Sequence, residues 1–306
     1  MADTPAVAAF AIAPPRTLGA ETVGTARDYW RAITDDTAGR AALGFLALLG
    51  ILAIAAPWIA TYDPTTPIGL ETLKLKPPSW SHPLGTDAIS RDVLSRMLHG
   101  ARISLRIALL AAGLSGIVGL VWGAAAGYLG GTVDAVLMRL VDMMLAVPRV
   151  LLVLTLIPLW PDMSTDGLIL VLGLTGWFGV SRLARAQALG VRHRDFVHAA
   201  RALGASRLVV LVRHVMPHAI GPVLVATTVG IGHVLVLEAG LTYLGLGVRP
   251  PTPSWGSIVA ESWETLQIAW WLVASSGAAL IGTSLAVNAI ADRLRVAIHP
   301  RQLPGR

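Results

Sequence analysis

Asp142, Glu238 and His233 are the ionisable residues whose placement most invites chemistry, because each stands inside or beside a long apolar run. Such groups are costly in an apolar setting and mark function by default. Asp142 has Arg139 three residues before it on one helical face, which fits an ion pair at a helix end as well as a solute pathway. Glu238 precedes Leu244-Gly-Leu-Gly247; there it can meet an ammonium group on a pathway or hydrogen-bond a neighbouring loop. His233 has no His or carboxylate three or four residues away, so its spacing fits a bond to an adjacent helix better than a metal set. His82 and His99 form no metal spacing either, and no metal is expected. With no cysteine, thiol chemistry and Cys-held metals are excluded. Neither a Ser–His pairing nor His-Glu-x-x-His is present. The two lysines, Lys74 and Lys76, both follow Leu, so no Gly-Lys-Ser/Thr loop exists to bind ATP. The chain is not expected to be an enzyme or to bind a cofactor itself.

The elements that must position these residues are membrane helices. Only 14% of the 306 residues are charged, about half the roughly 25% usual for a soluble domain. Uncharged runs at 41–60, 107–127, 219–237 and 265–291 each approach or exceed the roughly 20 residues that cross a bilayer. Residues 133–158 and 165–189 are less clean, holding Arg139, Asp142 and Arg149 in the first and Gly167–Ser181 as the uncharged core of the second. An all-α integral membrane protein with six transmembrane helices follows: 41–61, 103–128, 133–158, 165–189, 218–242 and 268–291. The tract 1–40 reads as a poorly ordered cytoplasmic tail, 62–102 as an extracytoplasmic loop, 103–291 as a five-helix core and 292–306 as a second cytoplasmic tail. Ala53-Ile54-Ala55 has the form of a cleavage site, but the first apolar run begins too late and runs too long for a signal peptide. Membrane lipids are implied partners.

With the N-terminus inside, 16 of 24 basic residues fall on the cytoplasmic side, seven of them between 182 and 218, which places both termini in the cytoplasm. The same rule accounts for the net charge of +6 without nucleic acid. Gly119, Gly123 and Gly127 recur every four residues, a spacing that lets helix backbones approach closely. Trp270 and Trp271 fit an interfacial aromatic belt.

The cytoplasmic loop 192–217 carries the most specific pattern. Asp195 is placed to cap a short helix whose apolar face is Phe196, Ala200 and Leu203. Gly204 stops it. Ser206 caps a second helix beginning at Arg207 and closed by Pro217. A face with one Phe, one Leu and small alanines suits a protein groove better than a lipid surface.

This loop resembles the EAA motif of bacterial ABC importer permeases, in Ala199-Ala200, Gly204 and Met216-Pro217. More narrowly, Ala199-Ala-Arg-Ala-Leu-Gly-Ala-Ser206 and Arg213-His-Val-Met-Pro217 are similar to the C-type permease subunit of dipeptide, oligopeptide and nickel importers. So are His82-Pro-Leu-Gly-Thr-Asp87, Arg91-Asp-Val-Leu-Ser-Arg96, Gly100-Ala-Arg-Ile-Ser-Leu105, Met138-Arg-Leu-Val-Asp142, Leu244-Gly-Leu-Gly-Val248 and Pro250-Pro-Thr-Pro-Ser-Trp-Gly256. The resemblance runs from about 76 to 301. Two positions depart from it: the motif's Glu is His198, and the family's Gly before Arg-Asp is Ser90. The resemblance implies a type I ABC importer permease fold in the bacterial inner membrane, forming half of a pore with a second homologous permease. Two separate ATP-binding subunits, which hold ATP and Mg, would be coupled through Asp195, Phe196, His198, Ala199, Ala200, Leu203, Gly204, Ser206 and Arg207. An extracytoplasmic binding protein would deliver a peptide, with nickel or another small solute as the alternative. A proton-driven secondary transporter is the competing class; it would carry paired intramembrane acids or an internal repeat, and neither is seen.

Overall fold

Charge-free runs predict where the chain crosses a membrane but not where its helices begin, and the two differ here. The computed structural model describes residues 26–69 and 72–298; the outer parts of both expected tails lie outside them. Helix α1 (Ala26–Thr34) and α2 (Thr37–Ile59) meet at Asp36, whose carboxylate accepts from the amides of Ala38 and Gly39 and starts α2. Residues 26–34 are thus helical and packed against the last helix rather than part of a loose tail. Asp36 also pairs with Arg293 at 2.7 Å, tying the two ends of the described chain together.

Helix α3 (Val93–Leu129) has 37 residues, about 55 Å at 1.5 Å each, far beyond a hydrocarbon core of roughly 30 Å. Its first ten residues fall in the tract expected to be loop. Arg96, Arg102 and Arg106 interrupt the apolar run there but do not oppose helix, and Asp92 caps the start through the Ser95 amide at 2.7 Å.

The third expected span is broken. Helices α4 (Gly131–Leu145) and α5 (Arg149–Leu156), the latter extended by a 3₁₀ turn Ile157–Leu159, meet at an angle of 82°. Pro148 is the cause: it has no N–H to continue the ladder and pushes Val147 out of the helical region. Among the described residues, five helices are long and apolar enough to cross a membrane, six when this bent pair is taken as one span.

Helix α6 (Thr165–Val191) is capped by Ser164. After it come the short α7 (Asp195–Ala202) and α8 (Arg207–Val210), then α9 (Met216–Tyr243). Pro217 does not close α8. The chain instead runs through a π segment, Leu211–Val215, in which the Met216 amide bonds the Leu211 carbonyl five residues back. The wider turn falls just before a residue with no N–H to offer. Helix α10 (Trp255–Ser262) is a short piece started by a capping box of Ser254 and Ser257, and α11 (Trp270–Ile298) is the last candidate span among the described residues. Among the described residues there is no β-strand, only a single bridge between Thr86 and Asp92.

The longest seam joins α3 to α6. A Cβ on Gly119 would lie 2.7 Å from Val180 Cβ, and one on Gly127 2.6 Å from the Arg185 carbonyl. At Gly123 it would run into the carbonyl of Ser181. Close approach of this kind is where a membrane helix pair gains its dispersion energy, since burial from lipid supplies little. Helices α9, α11 and α2 complete the bundle around a core that includes Ile107, Leu172, Leu235 and Trp255.

Candidate coupling surface and pathway residues

At one end of the bundle, α7 folds back under the ends of α3 and α6. Arg194 is its N-cap residue and makes no side-chain cap, so Asp195 is not the cap but the first helical residue, where its carboxylate still favours the helix dipole. The anchor is Val197. It is fully buried against Ala124, Tyr128, Ala188 and Val191, with Val210 and Val215 closing the cluster. Arg201 lies 5.0 Å over the Tyr128 ring, and its Nε donates to the Tyr128 hydroxyl at 3.2 Å.

The apolar face expected to dock as one surface, Phe196, Ala200 and Leu203, is split by this anchoring. Ala200, one turn on from Val197, packs at the edge of the buried cluster. Leu203 is 89% exposed, and Leu208 is 69% exposed beside it. Phe196 stacks on His218 with ring centres 5.2 Å apart. The buried residue that sequence reasoning missed, Val197, was legible as the apolar partner of Ala200 at i, i+3. Gly204 takes φ +84° as its amide bonds Arg201 O, while Ala205 bonds Ala200 O; this is the αL stop that glycine allows. Ser206 Oγ accepts from the Val209 amide and caps α8. His198, Ala199 and Arg207 are exposed on the outside of the same unit. The outcome is a unit with exposed apolar and basic residues on its outside, held from beneath by Val197.

Asp142 pairs with Arg182 on α6 at 2.6 Å, not with Arg139 on its own helix. Two turns earlier on α4, Asp134 takes Arg185 bidentately at 2.6 and 2.7 Å. The two pairs, with Trp122 Nε1 donating to Leu137 O at 3.2 Å, latch α4 across the α3–α6 seam. Nothing in the local sequence pairs these residues, since they lie 40 and 51 positions apart.

Glu238 is fully buried beneath α10, and its geometry is that of the loop-anchoring alternative. Its Oε1 accepts from Thr242 Oγ1 at 2.9 Å and from Ser254 Oγ at 3.0 Å. Gly256 lets α10 sit on α9: a Cβ there would lie 2.6 Å from Ala239 Cα. Trp255 fixes the other side, its amide donating to Ser104 Oγ and its Nε1 to Met97 O.

The end of the bundle opposite α7 holds a second charged cluster. Asp87 Oδ2 accepts from Arg91 Nε and from Arg96 Nη1, each at 2.7 Å. Glu261 at the end of α10 takes both arginines as well. His82 Nδ1 lies 3.0 Å from Asp92, the cap of α3. The two arginines are matched by the carboxylates of Asp87 and Glu261, as a largely buried group of charges requires. Glu261 was not singled out from the sequence, because its partners are about 170 residues away. In the same loop, Asp63 accepts from the hydroxyl and amide of Thr65, which hold its carboxyl below the usual carboxylate range.

The helix count and the broken third span are those of an all-α, multi-pass membrane protein. Residues 119–303 match the family described as binding-protein-dependent transport system inner membrane component, and residues 25–78 match the N-terminal TM domain of oligopeptide transport permease C. The chain belongs to this family of permeases, the membrane components of ABC importers. It is 34% identical over 282 residues to the di/tripeptide transport system permease protein DppC of Pseudomonas aeruginosa, covering 90% of this chain and 92% of that one. The oligopeptide transport system permease protein OppC of Bacillus subtilis is 35% identical over 84% of this chain and 83% of its own length. A probable D,D-dipeptide transport system permease protein of Escherichia coli, DdpC, is 35% identical over 84% and 85%.

Proposed function

We propose that this chain forms half of the translocation pore of a peptide importer, paired with a second homologous permease. Two ATP-binding subunits, which hold ATP and Mg, dock on the exposed face of α7 and α8. A binding protein delivers the peptide to the opposite end, where the loop 62–92 and α10 lie. The bias of basic residues supports placing α7 and both termini in the cytoplasm of a bacterium bounded by an inner membrane. Dipeptides or oligopeptides are the cargo read from the names of the relatives.

One observation carries the reading. The α7 unit is clamped from beneath by Val197 and Arg201 while its outer apolar residues stay bare. A lever that transmits motion needs this combination, a rigid root and a sticky outer face. Closing of the ATP-binding subunits then drags α7, and through Val197 the ends of α3 and α6, as one body.

The test is extraction in mild detergent followed by measurement of ATPase and uptake. The subunits should co-purify. Leu203→Arg, on the bare face, and Gly204→Pro, at the stop of α7, should leave ATP hydrolysis running while uptake falls at least tenfold. A chain that transports alone, or normal uptake by both variants, overturns the reading. Growth on dipeptides, longer peptides and nickel-limited medium separates the cargo classes.

A further inference from the structure

The face of α9 that runs through Pro222, Ala226, Val229 and His233 opens on a cleft of about 510 Å³, whose other walls include Gln187 of α6 and Arg295 near the end of α11. His233 stands ten residues before the end of α9, about 15 Å along a helix of 1.5 Å rise. Counted from that end, this is half the depth of a hydrocarbon core of roughly 30 Å.

Its ring is exposed there, and no described residue hydrogen-bonds it. The bond to a neighbouring helix expected from the sequence is therefore not made within this chain. Gln187 likewise bonds no described residue through its amide, and Arg295 reaches Asp292 only at 3.9 Å. An unpaired imidazole facing lipid at the midplane is expensive, and so is an unpaired amide. The surfaces that do suit lipid look different: Ile281 and Leu285 on α11, and Ile220 and Leu224 on α9, are exposed and wholly apolar. Three donors, His233, Gln187 and Arg295, are thus spaced along a cleft whose other walls are Leu183, Pro222, Val225, Ala226, Val229 and Ile298, and water, or a solute in water, is what would satisfy them.

We propose that this cleft is the stretch of translocation pathway between the midplane and the α7 end. His233 is its midplane contact, offering an N–H to the carbonyl and carboxylate oxygens of a passing peptide. No acidic side chain lines the cleft, so it presents donors to the oxygens that every peptide carries whatever its side chains. Such recognition is tolerant of sequence. The proposal rests on the importer reading above for the nature of the solute, but not for the presence of water.

The chain contains no cysteine, so His233→Cys gives it a single thiol. The assembled complex in proteoliposomes is treated with a permanently charged methanethiosulfonate or with a lipid-soluble maleimide, and label is read on this chain's band. Leu285→Cys is the lipid-facing comparator. The charged reagent should modify the thiol of the His233→Cys variant at least tenfold faster than that of the Leu285→Cys variant. Gln187→Cys, on the same cleft, should behave in the same way and serves if the first variant does not assemble. Labelling by the maleimide alone would put this face in lipid; labelling by neither would put it in a dry seam with the second permease. Either result overturns the proposal. His233→Leu should lower uptake of peptides at least tenfold with assembly intact, and His233→Gln, which keeps a donor, less than threefold. Equal uptake by both would remove the contact role. Label access without peptide uptake by the unsubstituted complex would instead leave the cleft standing and sink the peptide reading.

Discussion

Ser90 shows how one residue can depart from its family pattern and still be accommodated. It holds φ +63°, the left-handed region, where the related sequences implied by the resemblance have Gly. A side chain in that region costs roughly 1–2 kcal/mol. Its Oγ is also buried without a hydrogen bond. Ser90→Gly removes both penalties and loses about 0.5–1 kcal/mol to the greater freedom of the unfolded chain. The variant should be more stable by about 1 kcal/mol, read as a higher midpoint of heat-induced aggregation in detergent. An unchanged or lower midpoint would mean the strain is not felt. Glu238 is a different case: the fold supplies two donors to its Oε1, from Thr242 and Ser254, and leaves its buried Oε2 without a partner. Glu238→Leu leaves Thr242 and Ser254 hydroxyls without their acceptor, at about 1–3 kcal/mol, and should loosen α10, seen as faster proteolysis between 244 and 262. Glu238→Gln keeps an acceptor oxygen and should stay near the parent.

At the level of elements, the α3–α6 seam is the most exacting contact. Gly123→Leu drives a side chain into the Ser181 carbonyl, and no flexible neighbour can yield, since the obstacle is backbone. Overpacking of this kind costs roughly 1–3 kcal/mol, and here it should prevent monodisperse elution of the chain. Gly113→Ala on the same helix meets nothing within 4 Å and should elute like the parent. The glycine spacing was readable in the sequence, because three residues on one face need only helical periodicity. The latch across the seam was not. Asp142 was assigned to Arg139 by proximity along the chain, yet α4 lies against α6, and Arg182 is where the carboxylate points. The bend between α4 and α5 was hidden for a related reason: hydropathy averages over Pro148, whereas backbone geometry does not.

For the whole molecule, the consequential feature is how α7 is rooted. It touches the bundle through Val197 and through Arg201 on Tyr128. Val197→Ala leaves a cavity under the helix and slackens that link. The complex should still assemble, because the outer face is untouched, but transport per ATP hydrolysed should fall severalfold. Parent-like coupling in Val197→Ala would show that the root does not transmit force. Composition and periodicity by themselves determined that this is a helical membrane protein, where most spans lie, and that residues 192–217 form a helical unit after α6. These follow from local rules, namely apolar length, caps and glycine stops. Only the tertiary structure decided which way each side chain of that unit points, that Glu238 bonds Thr242 and Ser254, that Asp142 belongs to Arg182 and that His233 is exposed on its face of α9. Each depends on which helix lies beside which, and that is fixed by packing between segments far apart in the chain.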